Sequence, residues 1–270
     1  MSGTNKAMLH LTESDLRFVV ETVITRRRDY DHIVQLLRDK EDLLEPMLED
    51  PKLIERLVRD EEAFLQISPH LLFSVLLRRV RIELEKEAYV FEAAPRGKRI
   101  PIFEAPAVAE LLSNKQIRDY LADMLSSFAR INSGILYWKE GGAWHMRRFS
   151  DVDMEDMIEL TRLADPEMRP RLHKRIADIA LFLSGIFPDQ AALFESRSRS
   201  TFSDKPTLKD YEKQGRRFYS LAARETVHAP WGTTLEALAE NFTFARRALN
   251  ALSDRYLKKQ QIRYFRAPDL

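Results

Sequence analysis

The chain has 270 residues, 44% of them hydrophobic and 31% charged, with 8 Gly and 12 Pro. That composition excludes a disordered or fibrous chain, and the absence of Cys excludes disulfides, thiol nucleophiles and Cys-ligated zinc or iron–sulfur centres. The longest apolar run, Leu71 to Leu77, is far shorter than the about 18 residues of a spanning helix. The opening Met-Ser-Gly-Thr-Asn-Lys lacks the charged-then-apolar order of a secretory signal. The expectation is a cytoplasmic chain with no membrane segment. The net charge of +1 hides an asymmetry: residues 1–95 hold 14 basic and 19 acidic side chains, and residues 187–270 hold 15 and 10. The basic end can meet an anionic partner, or it can meet the acidic end inside one fold.

Helix signals recur along almost the whole chain. Thr12 with Asp15 three residues later forms a capping-box pattern ahead of Leu16, Val20, Val23 and Ile24. Residues 29–66 read as short acidic amphipathic helices punctuated by Pro46 and Pro51. Ser68-Pro69 supplies an N-cap and first-turn pair. It opens a long helix to about Tyr89, with Leu72, Leu76, Val80 and Leu84 in register. Tyr89 to Phe103 then reads as two short extended runs around Ala94-Pro95-Arg96-Gly97. Residues 114–130 return to a helix with Ile117, Tyr120, Leu121, Met124, Leu125 and Phe128 on one face, and with Asp119 and Asp123 on its outer side. Residues 135–149 form two aromatic-rich runs joined by Gly141-Gly142, a pair suited to a two-residue hairpin turn. That turn places Trp138 opposite His145 and Lys139 opposite Trp144. Asp165-Pro166 starts another helix, with a Leu172, Ile176, Ile179, Leu183 stripe, which ends near Phe187-Pro188. His70 falls in a first turn, and His173 flanks its stripe as a solvated residue. Residues 195–203 read as an exposed loop.

The C-terminal region carries two stripes at alternating steps of three and four. One is Leu208, Tyr211, Gly215, Phe218, Ala222, Glu225. The other is Leu235, Leu238, Phe242, Ala245, Leu249, Leu252, Tyr256. Reflection about Pro230-Trp231-Gly232 pairs them as an antiparallel helical hairpin over 207–257, with Gly215 against Ala245 as its closest layer. The fold class expected is therefore all-α: a multi-helix bundle with one or two short β-hairpins, at about 89–103 and 135–149. The chain reads as a single helical domain over 1–270. It can be subdivided into acidic N-terminal helices, 11–92, and a C-terminal helical unit, 106–258.

Four strings carry a resemblance: Asp119-Tyr-Leu-Ala-Asp-Met-Leu-Ser-Ser-Phe128, Ala180-Leu-Phe-Leu-Ser-Gly-Ile-Phe-Pro-Asp189, Gly215-Arg-Arg-Phe-Tyr219 and Arg246-Arg-Ala-Leu-Asn250. They are similar to an uncharacterised family of bacterial and archaeal, mostly helical proteins, over residues 105–258. The resemblance implies one co-folding unit and brings no activity, cofactor or site residue with it.

Dinucleotide, phosphate-loop, zinc-protease and nucleophile-elbow motifs are all absent from the sequence, so no cofactor is expected. Glu225-Thr-Val-His228 has the helical spacing of a metal-ligand pair, but 42 acidic residues and 6 His produce such spacings by chance. A helical enzyme using Glu225 and His228, with or without metal, is one reading. The favoured one rests on Arg216, Arg217, Arg246 and Arg247, which the reflected register brings to one level of the hairpin. Four guanidinium groups call for an anion. The acidic N-terminal helices can supply it internally, or an acidic or phosphate-bearing partner can supply it from outside. The expected function is thus a non-catalytic interaction or regulatory module with a protein partner or anionic ligand. Nucleic-acid binding is the alternative, supported by the basic and aromatic tail 258–266 and by the hairpin carrying Arg147-Arg148, which resembles a wing.

Overall fold

The computed structural model describes residues 11–25, 29–60, 66–94, 98–129, 133–140, 143–150, 153–188, 207–225 and 231–258. Within them the chain is all-α with two short antiparallel hairpins. In the N-terminal part, α1 (Glu13–Val23), α2 (Tyr30–Asp39), α3 (Leu44–Leu48) and α4 (Pro51–Arg59) lead to the long α5 (Pro69–Leu84). The capping box is made as the spacing requires: Thr12 Oγ1 accepts from Asp15 N, and Asp15 Oδ2 accepts from Thr12 N. Asp15 is buried because its second oxygen accepts from Ser68 N, tying the start of α1 to the N-cap of α5. Ser68 in turn caps α5 through Leu71 N. Leu71, Phe73, Leu77 and Val80 are fully buried, so α5 is enclosed nearly all round and forms the axis of this half.

α5 stops at Leu84 rather than near Tyr89. Val90 is claimed by the first hairpin, β1 (Val90–Ala94) with β2 (Lys98–Ile102), where it pairs with Ile102. α6 (Ala105–Ser113) and α7 (Lys115–Phe128) meet at Asn114, whose side chain accepts from Gln116 N and Ile117 N. The second hairpin, β3 (Ser133–Glu140) with β4 (Ala143–Ser150), has the expected register, with Trp138 opposite His145 and Lys139 opposite Trp144. α8 (Met154–Leu163) follows, and a single 3₁₀ turn at Pro166–Met168 leads into α9 (Arg169–Ile186). From Ile176 to Ile186 every side chain of α9 is buried. One connected cluster of buried apolar side chains runs from Leu16 to Leu257.

The C-terminal hairpin departs from the reflected register. α10 (Leu208–Glu225) runs unbroken, but its expected partner is two helices, α11 (Gly232–Glu240) and α12 (Phe242–Leu252), separated at Asn241. Asn241 leaves helical geometry, with φ −106° and ψ 26°, while its side chain and backbone N–H both donate to Ala237 O. The Arg216 guanidinium then crosses from α10 to donate to Ala239 O, Glu240 O and Thr243 Oγ1. Side-chain capping of this kind offsets the orphan carbonyls of an interrupted helix. Beyond the break α12 turns toward α9, so α10 packs chiefly on α9 and α11. Gly215 lies against Phe242, and an added Cβ would overlap the Phe242 ring. Gly185 permits a matching approach of α9 and α12, since a Cβ there would lie 2.7 Å from Leu249 Cβ.

Phe242 is fully buried. Gly215→Ala should therefore cost about 1–3 kcal/mol, the range of overpacked cores, despite the better helix propensity of Ala. Differential scanning calorimetry checks this; a variant as stable as the parent would show that the ring can yield.

Candidate interaction surfaces

The four arginines meet different partners. Arg246 is 1% exposed. It donates to Glu212 at 2.8 Å, to Glu92 at 2.7 Å and to Asn250 Oδ1 at 3.1 Å. Arg247 binds the other Glu92 oxygen at 2.9 Å and also pairs with Glu104. Glu212, one turn before Arg216 on α10, thus serves Arg246 instead, and Arg216 is spent on the end of α11. Arg217 is exposed, with its guanidinium 5.5 Å from the neighbouring Phe218 ring. The carboxylates that meet Arg246 and Arg247 come from β1 (Glu92), the residue before α6 (Glu104) and α10 (Glu212), not from the helices α1 to α5. Burial pushes the Glu92 carboxyl up, but Arg246 and Arg247 more than offset this and hold it below the usual carboxylate range.

A second feature of the same region was not visible in the sequence. Tyr89, Phe91 and Phe103 are 41%, 48% and 75% exposed, and Tyr89 meets each of the two phenylalanines edge to face. Ring centroids lie 5.3 Å apart for Tyr89–Phe91 and 5.9 Å for Tyr89–Phe103. Pro101, the exposed cross-strand partner of Phe91, extends the face. Beside it runs a groove lined by Glu83, Glu87, Tyr89, Phe91, Asp254 and Arg255. Its far wall is a π-helical turn, Ser253–Leu257, continuing α12. That turn lets Arg255 reach Glu83 at 2.9 Å and Glu87 at 2.6 Å, and lets Tyr256 donate to Glu83 at 2.7 Å. π-turns are uncommon and recur at functional positions. Burial and the Glu83 carboxylate push the Tyr256 hydroxyl up to about 12. The opposite wall is fixed by Arg99, whose two terminal nitrogens donate to the two Asp254 oxygens at 3.0 and 2.9 Å.

Two histidines and two aspartates sit differently from expectation. His173 is buried, not solvated: Nδ1 lies 2.7 Å from Glu225 Oε2, and its ring packs near Phe218. The contact between α9 and α10 encloses it. His70 is also buried, with Nδ1 2.9 Å from Asp123 Oδ1. Asp123 and Asp119 therefore both reach α5, with Asp119 bound to Lys115 and 3.6 Å from Arg78. Next to them the buried Arg78 and Arg118 share Glu45 of α3, joining elements distant in sequence. His228, the loop at 195–203, the Gly141-Gly142 turn and the tail beyond Lys258 lie outside the described residues. Among the described residues no group of three or more His, Asp or Glu is placed to hold a metal ion. No described helix is long and apolar enough to cross a membrane.

No family model matches the chain, and no curated protein or solved structure matches it either.

Proposed function

We propose that the chain is a non-catalytic helical interaction module, and that a protein partner docks on the aromatic face of the first hairpin rather than on the C-terminal arginines. The observation that carries this is the contiguous exposure of Tyr89, Phe91 and Phe103 beside a groove. Scattered exposed apolar residues are ordinary, but rings gathered on one face and rimmed by ion pairs have the anatomy of an interface centre. At about 200 Å² per ring, these exposures leave roughly 300 Å² of aromatic surface in water, within the range of the largest patch on a typical monomer. The rim is electrically satisfied by Arg255 with Glu83 and Glu87, and by Arg99 with Asp254. Arg246 and Arg247 are engaged by Glu92, Glu104 and Glu212, which leaves Arg217 as the exposed member of the original four.

The test compares affinity capture from host lysate by the parent and by a Phe91→Ser/Phe103→Ser variant. Phe91 is 48% and Phe103 75% exposed already, so the variant should melt within a few degrees of the parent. One protein retained in stoichiometric amount by the parent and lost by the variant is the expected result. Identical captured sets would overturn the assignment of this face. A partner lost instead by Arg217→Glu would return the docking site to the C-terminal helices.

A further inference from the structure

The backbone of the first hairpin says what kind of partner the docking face takes, an inference that rests on the reading above. β1 and β2 pair at Val90–Ile102, Phe91–Pro101, Glu92–Ile100, Ala93–Arg99 and Ala94–Lys98. Antiparallel pairs alternate between those that exchange both backbone hydrogen bonds and those that exchange none. Pro101 has no N–H to give, so Phe91–Pro101 is of the second kind, and Ala93–Arg99 with it. The backbone groups of these four residues therefore point away from the ladder. On β2 the missing N–H of Pro101 blunts the outer edge. On β1 the outer edge is divided. Ala93 is buried, and Arg99, its cross-strand partner, reaches Asp254 of the π-helical turn. Phe91 is exposed and, with Tyr89 and Val90, lines the groove. Among the described residues no hydrogen bond takes up the backbone of Tyr89 or the outward N–H and C=O of Phe91. The same register carries Tyr89, Phe91, Pro101 and Phe103 to one side of the sheet, where Tyr89 meets both phenylalanine rings.

We propose that the partner docks through an extended peptide segment, apolar at alternate positions, which adds to the outer edge of β1 at Tyr89–Phe91. An open strand edge is a template for another strand: main-chain bonds give affinity, and alternate side chains give specificity. Side chains of the added strand on the aromatic side continue the Phe91 face, so apolar residues are wanted at every second position. The size of the face decides against a globular partner or a second copy of the chain. Its exposed rings offer about 300 Å², well short of the roughly 800 Å² per partner of a stable interface. A strand draws in addition on hydrogen bonds that this area does not count. A helix laid in the groove would leave the Phe91 N–H and C=O unmet, because its own backbone groups are spent internally. The carboxylates of the groove walls are already paired, Glu83 and Glu87 with Arg255 and Asp254 with Arg99, so the segment needs no net charge.

The test pans a display library of random linear peptides against the full chain and against Phe91→Ser/Phe103→Ser, then synthesises the peptide that the parent enriches most. That peptide should be lost by the variant and should bind with little dependence on salt. Amide hydrogen exchange at Phe91, fast in the free chain, should slow when the peptide is bound. N-methylation scanned along the peptide should weaken binding about tenfold at every second amide, the loss of one hydrogen bond at a time. Failures of the two readings separate. A peptide retained by Phe91→Ser/Phe103→Ser overturns the docking face itself. A peptide lost by that variant keeps the face, but overturns the strand if the Phe91 amide stays unprotected or N-methylation shows no alternation. Enrichment of no peptide overturns the strand, whether or not a whole protein is captured through the aromatic face.

Discussion

Replacing Arg246 by Ala should destabilise the protein by about 3–5 kcal/mol, the cost of breaking a buried ion pair by removing one member. For a chain of this size that lowers the melting temperature by on the order of 10 °C. Arg246 is fully enclosed and holds Glu92, Glu212 and Asn250 at once, so its loss takes the Arg246 ion pair from the half-buried Glu212 and leaves Glu92 to Arg247 alone. Arg217→Ala, on the exposed side of α10, should change stability by no more than about 0.5 kcal/mol. The pair separates a structural arginine from a surface one on adjacent helices. The same site fixes a pH dependence. Arginine pairing holds the Glu92 carboxyl below its ordinary value of 4.5 in the folded chain. The stabilisation is thus present above that ordinary value and is lost as the pH falls through the depressed folded value. On acidification the parent should lose stability faster than Arg246→Ala, which lacks most of the pairing. Melts of equal temperature at neutral pH would show that Arg246 is dispensable.

What could be read in the sequence was local. The Thr12–Asp15 box, the Ser68-Pro69 start, the Asp165-Pro166 entry to α9 and the register of the second hairpin each depend on residues within a turn or two of one another. Those features are found where the spacing put them. The aliphatic stripe of α5 was legible for the same reason, but its end was not, because Leu84 is followed by good helix formers and the stop comes from Val90 pairing with Ile102. The C-terminal register failed at a single residue. Asn241 sits inside an otherwise unbroken stripe, and what makes its break tolerable is a guanidinium arriving from α10.

The candidate sites were least legible because their partners are far apart in the chain. Glu92 and Arg246 are separated by 154 positions, and Glu45 and Arg118 by 73. Counting charges by thirds showed that internal neutralisation was available, without saying which carboxylates would provide it. The exposure of Tyr89, Phe91 and Phe103 left no sequence signal at all. Alternation in a two-stranded sheet says which residues share a face, not which face is covered.

Asp178 provides the second large effect, because it is a buried carboxylate shared by three helices. Its Oδ1 accepts from Tyr120 of α7 at 2.6 Å and from Tyr219 of α10 at 2.8 Å, and its Oδ2 meets Lys174 of α9 at 2.7 Å. Asp178→Ala leaves two buried hydroxyls without an acceptor and Lys174 without its counter-ion. At about 1–3 kcal/mol for each unsatisfied buried group, a loss of roughly 3–5 kcal/mol is expected. Asp178→Asn should cost less, since an amide oxygen in place of Oδ1 still accepts from both tyrosines while the NH₂ in place of Oδ2 cannot serve Lys174. Burial first, and then the Asp178 charge, push both phenols well above their ordinary value of 10.0. A folded value above the unfolded one means stability that is complete below pH 10 and declines as the pH rises past it, because only the unfolded chain can ionise these phenols there. Absorbance of tyrosinate against pH, recorded beside circular dichroism, should therefore show Tyr120 and Tyr219 ionising only as the helices are lost. Ionisation of the full tyrosine complement, 8 per chain, before any loss of helicity would mean that the two hydroxyls reach water in the folded state. The three helices would then be held by apolar packing without this carboxylate.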